Sequence, residues 1–401
     1  VYNMTKRINP TINALSTIVI VVIVVILLLA NLLPRLGGGD NKKNNQNMKK
    51  LVAGVAVFAL VLSLVTCVAN KSNNKEARVL KVYNAGEYID PDLLTEFQDE
   101  YNCTVIYETF ESNEMMYTKL QAGDAYDILI PSDYMIERLI KEEYLQPIDW
   151  DCLTNAEGLN PDVMNKEYDP GNVYSVPYFW GNVGLVYNKT KVSKDEIEAK
   201  GWDILQDAKY KDSIYVYDSE RDAFMVAFKA LGYSMNTDNE KELADAYNWL
   251  LQSVQTMSPE IVTDEIIDNM AQARKALGIV YSGDAAYIMS ENENIGFYMP
   301  KQGTHIWCDA MVIPQSSKNV DLAHEFINYV SSYDAAYDNS SYVGYTSPNT
   351  EVMNDLKNDD FKGINAYNPI RKNNKDEVFN YNSETRKIMA NYWAKVKIAA
   401  S

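Results

Sequence analysis

Trp307 and Asp309 stand two residues apart in the stretch IWCDA. In an extended strand that spacing places both side chains on one face. An indole face beside a carboxylate suits an ammonium group. The carboxylate accepts charge-assisted hydrogen bonds, and the ring attracts the cation by about 0.5–2 kcal/mol, most where water is excluded. Related groupings recur in YNAGEY (Tyr88), PSDYM (Ser132, Asp133, Tyr134), DSERDAF (Asp218, Ser219, Asp222), YSGDAAY (Tyr281, Asp284) and YVGYTSPN (Tyr345). With 29 tyrosines in the chain, any single pairing is readily structural. What gives the set meaning is its placement, because the groupings fall at the ends of expected strands. Several carboxylates among aromatic walls would suit a chain bearing several ammonium groups. The walls would cover its methylenes at about 0.8 kcal/mol per buried CH₂.

Other chemistries are poorly supplied. There are two histidines, His305 and His324, and four cysteines, Cys67, Cys103, Cys152 and Cys308, with no C-x-x-C pair. That argues against a zinc site and a disulfide framework. No phosphate loop, nucleophile elbow, H-E-x-x-H or dinucleotide fingerprint occurs, so no metal, cofactor or catalytic residue is expected. An exported hydrolase would need a carboxylate pair such as Asp218/Asp222 or Glu111/Glu114. The latter pair flanks an expected helix cap, Ser112, where acids favour the helix dipole. Residues 1–75 hold nine Lys or Arg and one acid, leaving 28 basic and 54 acidic residues beyond, a formal charge of −26. Such a field repels nucleic acid and attracts cations.

The positioning elements begin at residue 77. RVLKVYNAG reads as a strand, DPDLLTEFQDEY as a helix capped by Asp90 with Pro91 in its first turn, and NCTVIYETF as a second strand. SNEMMYTKLQAG reads as a helix from Ser112 to a stop at Gly123. YDILIP, SIYVYD (213–218), LGIVYS (277–282), IGFYMP and IWCDAMVIP are expected strands. Helices are expected after YDILIP in SDYMIERLIKEEY, at 220–231, 239–255 and 264–277, in GDAAYIMSEN, and near 319–332 and 383–398. Alternating strands and helices indicate a parallel α/β sheet. The unit exceeds one simple sheet, so two lobes are expected, with ligand beyond the strand ends or between the lobes.

Two apolar runs precede it. Residues 12–34 carry no charge and are apolar without a break from 18 to 30, enough to span a bilayer core of about 30 Å. Leu51–Ala69 forms a second run. The segment between them, RLGGGDNKKNNQNMKK, has five basic residues and is assigned to the cytoplasm, which places everything after residue 70 outside. MKKLVAGVAVFALVLSLVTC, 48–67, has the form of an exported lipoprotein start. It is either cut before Cys67, which is then lipidated, or kept as an anchor.

The stretches YNAGEYIDPDLLTEFQDEYNCTVIYETFESNEMMYTKL, YSVPYFWGNVGLVYN, SERDAFMVAFKALGYSMNT, IWCDAMVIP and GYTSPN resemble the bacterial spermidine/putrescine-binding proteins over essentially all of 78–398. The resemblance implies a two-lobed periplasmic-binding-protein fold of the second type. Its lobe one would hold about 78–182 and 310–350, and its lobe two about 183–309 and 351–401. It implies a polyamine pocket built from Tyr88, Ser132, Tyr134, Asp222, Tyr281, Trp307, Asp309 and Tyr345. The chain departs from the family at Ala85-Gly86, where an aromatic pair is usual, and at Tyr281, where Trp is usual. Ser219 stands where spermidine-type members carry a carboxylate, and Asp284 stands where putrescine-type members carry one. VFNYNSETRK has no clear match to the C-terminal amide of spermidine-type members. These changes lean toward putrescine or a mixed preference.

INPTINALSTIVIVVIVVILLLANLL resembles the last transmembrane helix of a polyamine-type ABC permease subunit, centred on Pro10, Asn13, Ala14, Leu15, Ser16 and Thr17. The order expected is then a permease helix (1–36), a cytoplasmic linker (37–50), a signal or anchor helix (51–69), a linker (70–77) and the binding domain (78–401). Partners implied are a polyamine, the permease subunits and, through them, the ATPase. A member of this fold class carrying iron, thiamine or another small cation is the alternative, with no paired-tyrosine and histidine set for iron.

Overall fold

The first strand, β1 (Arg78–Ala85), runs parallel to β2 (Cys103–Phe110) and to the short β3 (Ile128–Leu129). This computed structural model describes residues 78–368 and 371–400. The expected spans at 12–34 and 51–69, the linkers beside them and Cys67 lie outside those residues. Among the described residues no helix is long and apolar enough to cross a membrane.

Helix α1 (Pro91–Tyr101) starts as read. The Asp90 side chain accepts from the Asp92 amide at 3.0 Å, and Asn102 ends the helix in the left-handed region. Ser112 likewise caps α2 (Asn113–Gln121) through the Met115 amide. α3 (Asp133–Lys141) follows β3, and β4 (Leu145–Gln146) closes this part of lobe one. The chain then enters β5 (Ser175–Asn188), fourteen residues that are all buried. Its first half pairs antiparallel with β10 (Ile306–Pro314), and its second half with β8 (Leu277–Tyr281) and β9 (Ile295–Tyr298). β5 is therefore shared by both lobes, and β10 is the return strand.

Lobe two continues with α4 (Lys194–Lys200), β6 (Ile214–Tyr217), α5 (Glu220–Leu231), α6 (Glu240–Met257), β7 (Glu260–Val262), α7 (Glu265–Ala271) and α8 (Ser282–Glu291). β6 runs parallel to β7 and β8. After β10 come α9 (Val320–Val330), α10 (Tyr333–Val343), α11 (Thr350–Asn358) and α12 (Ser383–Ala400). Phe97 of α1 meets Phe326 of α9 edge-on at 5.1 Å in lobe one. Tyr392 of α12 stacks on Tyr247 of α6 at 4.5 Å in lobe two.

Four expectations are corrected. The sheet is parallel only at its flanks, because a strand shared between two lobes must meet its return partner antiparallel. The strand expected in YDILIP is ordered as strand only over Ile128–Leu129. The helix expected over 264–277 ends at Ala271, since the chain turns through Ala273 at φ 54° to enter β8. Residues 351–367, expected in lobe two, pack on α10 of lobe one. Tyr333 donates to Asp355 at 2.8 Å, Tyr367 and Ser340 share a hydrogen bond at 2.7 Å, and Phe361 stacks on Tyr367.

Candidate functional site

Three strand–helix junctions and one crossing strand converge on a cavity of about 790 Å³. Asp133 is the first residue of α3, Asp222 lies in the first turn of α5, and Asp284 in the first turn of α8. A helix N-terminus favours a negative charge there. Asp309 comes from β10, next to the register shift between Asp309 and Ala310. All four carboxylates line the cavity.

Each is held by hydroxyls or amides. Tyr88 Oη donates to Asp309 at 2.7 Å, and Tyr345 Oη donates to Asp284 at 2.7 Å. Asp222 accepts from Tyr281 Oη at 2.6 Å and Ser219 Oγ at 2.7 Å, with His305 Nδ1 at 3.2 Å. Asp133 accepts from the Tyr134 and Cys308 amides at 2.6 and 3.2 Å. The Trp307 ring stands edge-on to Tyr345 at 5.3 Å and to Tyr281 at 6.1 Å, and Tyr88 stands edge-on to Tyr345 at 5.5 Å. Aromatic edges and faces thus separate the acids.

Burial acts on each acid differently. It pushes the Asp284 carboxyl up to about 7, against the Tyr345 hydrogen bond, and Asp133 up to about 6. Asp309 is raised by burial, an effect opposed by Tyr88 and Ser132. Burial would raise Asp222 too, but His305, Tyr281 and Ser219 outweigh it and hold its carboxyl below the usual range. Asp284 and Asp309 keep part of their surface open to the cavity while lying deep inside the molecule.

Of the expected residues, Tyr88, Ser132, Tyr134, Asp222, Tyr281, Asp284, Trp307, Asp309 and Tyr345 share this cavity. Ser219 does not line it; it caps α5 and supports Asp222 from behind. Tyr134 is there, but its ring is already covered by a cation, with Arg221 Cζ 3.3 Å from the ring centroid. Its hydroxyl donates to Glu114 at 3.1 Å. Asp218 turns away to α12, where Trp393 and Lys397 hold it, so the Asp218/Asp222 pair offers no shared site. Glu114 is likewise engaged by Tyr134 and Arg386. The Ala85-Gly86 wall is open: a Cβ built on Gly86 meets nothing within 4 Å.

Sequence reasoning missed His305 and Arg221 as cavity residues, and named Asp133 among the strand-end groupings without carrying it into the pocket. His305 had a signal, since it continues the alternation 305, 307, 309. Asp133 stood beside Ser132 in the same stretch. Arg221 had none, because its partner Tyr134 belongs to the other lobe. Among the described residues no group of three or more His, Cys, Asp or Glu could hold a metal ion.

Residues 92–363 match the family of bacterial extracellular solute-binding proteins. The chain is 35% identical over 297 residues to the spermidine/putrescine-binding periplasmic protein of Escherichia coli K12, covering 74% of this chain and 83% of that protein. It is 32% identical over 341 residues to the protein of the same description from Salmonella typhimurium LT2, covering 84% and 95%. The crystal structure of the spermidine/putrescine ABC transporter substrate-binding protein from Streptococcus pneumoniae matches with a TM-score of 0.71 at 36% identity. The match covers 81% of this chain and 100% of that one.

Proposed function

This chain belongs to the bacterial extracellular solute-binding proteins, and from that premise we propose that it captures a polyamine, putrescine or spermidine, between its lobes and delivers it to an ABC permease. The observation that carries this reading is the convergence of Asp133, Asp222, Asp284 and Asp309 with Tyr88, Trp307 and Tyr345 on one cavity. Carboxylates receive ammonium groups, and the aromatic walls cover the methylenes between them. The role is binding and delivery without catalysis. Ligand shifts the lobes toward the form that docks on the permease.

The finer placement also belongs to this reading. The apolar runs at 12–34 and 51–69 support a membrane tether, with the binding domain on the extracytoplasmic face. A tether raises the local concentration of the domain at its permease. The resemblance of residues 8–33 to a permease helix supports a fusion, and Cys67 is the candidate lipid attachment point.

Calorimetric titration with putrescine, spermidine and spermine, at low and physiological salt, tests the function. A site of micromolar affinity or better, about −8 kcal/mol, that survives salt is expected. Heats that vanish with salt would leave only a charged surface attracting polycations, and other small organic cations would then be the ligands to screen.

A further inference from the structure

The lining of the cavity is sealed in one part and open in another. Asp133, Asp222 and Trp307 are at most 5% exposed. Gly86, Glu87 and Glu111 of lobe one and Asp264 and Tyr287 of lobe two line the same cavity and are exposed. The cavity therefore reaches the surface between the lobes at these residues. Its volume of about 790 Å³ lies in the range of sites that enclose drug-sized ligands. An unsubstituted linear diamine fills only a small part of it.

Gly86 keeps this mouth clear. Glycine is usual where the backbone enters the left-handed region, but Gly86 lies outside that region, and it is Glu87 that takes it, at φ 52°. Crowding does not demand a glycine either, since a Cβ at 86 meets nothing within 4 Å. Gly283 is the contrast within the same lining, because a Cβ there runs into the Tyr345 ring. Neither backbone nor packing asks for a glycine at 86. What its missing side chain leaves is space in the cavity mouth.

The opening is also fixed in place. The buried Asn84 holds the turn that carries Gly86 from beneath. Its Oδ1 accepts from the Ala85 amide at 2.8 Å and its Nδ2 donates to the Tyr88 carbonyl at 3.2 Å. Tyr178 Oη donates to the same carbonyl at 2.6 Å. Folding the turn over the mouth would break these buried bonds, which is costly.

We infer from this geometry that the protein accepts a polyamine substituted on one terminal nitrogen. The unsubstituted end sits among the buried acids, and a bulky neutral or cationic group lies in the mouth beside Gly86. This rests on the polyamine reading above and narrows its ligand class. Ile267 and Tyr287 give the group apolar surface to cover. Glu87, Glu111 and Asp264 set the sign of the charge it can carry. Arg221 lines the cavity too, but its guanidinium is stacked on Tyr134. A substituent bearing a carboxylate would meet like charge at the mouth.

Calorimetry with putrescine, N-benzylputrescine and N-(4-carboxybenzyl)putrescine tests the inference. Benzylation leaves both nitrogens protonated and adds only bulk. N-benzylputrescine should bind within tenfold of putrescine, and the carboxylated compound at least tenfold more weakly than N-benzylputrescine. Gly86→Trp, at an exposed position with room for a side chain, should shift the ratio of the first two affinities at least fivefold toward putrescine. If the protein binds putrescine and N-benzylputrescine more than tenfold more weakly, the inference falls and the polyamine reading stands. That titration needs no variant. A ratio that moves less than fivefold in Gly86→Trp would also overturn the inference, because residue 86 would not be the opening. Equal affinity for the two benzyl compounds would overturn the role given to the mouth acids. If none of the three amines binds, the polyamine reading falls and takes the inference with it.

Discussion

At the scale of single residues, Asp309 and Asp284 have separable consequences. Asp309 faces the cavity and accepts from the hydroxyls of Tyr88 and Ser132. Replacing it by Asn keeps the shape and removes the charge, so polyamine affinity should fall at least tenfold by calorimetry. An unchanged affinity would remove Asp309 from the site. Asp284 makes binding depend on pH. Its carboxyl is raised from 3.8 to about 7 by burial. Between those values the folded protein holds a proton that the unfolded chain has released, so the stability of the free protein falls as pH rises through this window. An ammonium neutralises the same charge, so affinity should tighten from pH 6 to pH 8. Asp284→Asn should flatten that affinity profile. In thermal melts at pH 8 it should also raise the midpoint of the free protein, because a buried charge is gone.

At the scale of elements, the acids depend on helix starts that must come close to the other lobe. Gly283 in α8 shows how close: a Cβ there would lie 2.3–2.5 Å from the Tyr345 ring of lobe one. Gly283→Ala should therefore impede the approach of the lobes and weaken ligand binding at least tenfold. Its melting midpoint without ligand should stay near that of the parent, since the clash is between lobes and not within one. A comparable loss of intrinsic stability would argue against this. The elements themselves were largely legible, because Asp90, Ser112 and Gly232 punctuate helices in ways short sequence patterns capture. α10 was not. YDAAYDNSSYV lacks a clear apolar stripe, and its helical form comes from packing on its neighbours. In the site, strand alternation found Trp307 and Asp309. It could not find Arg221 over Tyr134, which joins residues 87 apart from different lobes.

At the scale of the whole molecule, the lobes meet through a set of contacts outside the cavity. Arg386 joins Glu114 of lobe one to Glu220 of lobe two, at 3.2 Å each, and the Tyr381 amide donates to Glu137 of α3. These ion pairs are partly exposed, so Arg386→Ala should speed polyamine release only about two- to fivefold in stopped-flow measurements, less so at high salt. Small-angle scattering should show a smaller radius of gyration with polyamine than without; equal radii would rule out capture by lobe movement. The strand order also sets the order in which the chain can fold as it is made. β1, β2 and β3 are synthesised early, but β10, which lies between β3 and β5 in the sheet, ends at Pro314. Until that strand emerges, the β3 edge of lobe one stands open, and open strand edges invite pairing with other chains. The strands of lobe two can pair first on the second half of β5. The first strands of the domain thus gain their neighbour only after the strands of lobe two have been made, and a ribosome stalled before residue 306 would carry a chain whose first strands still lack it.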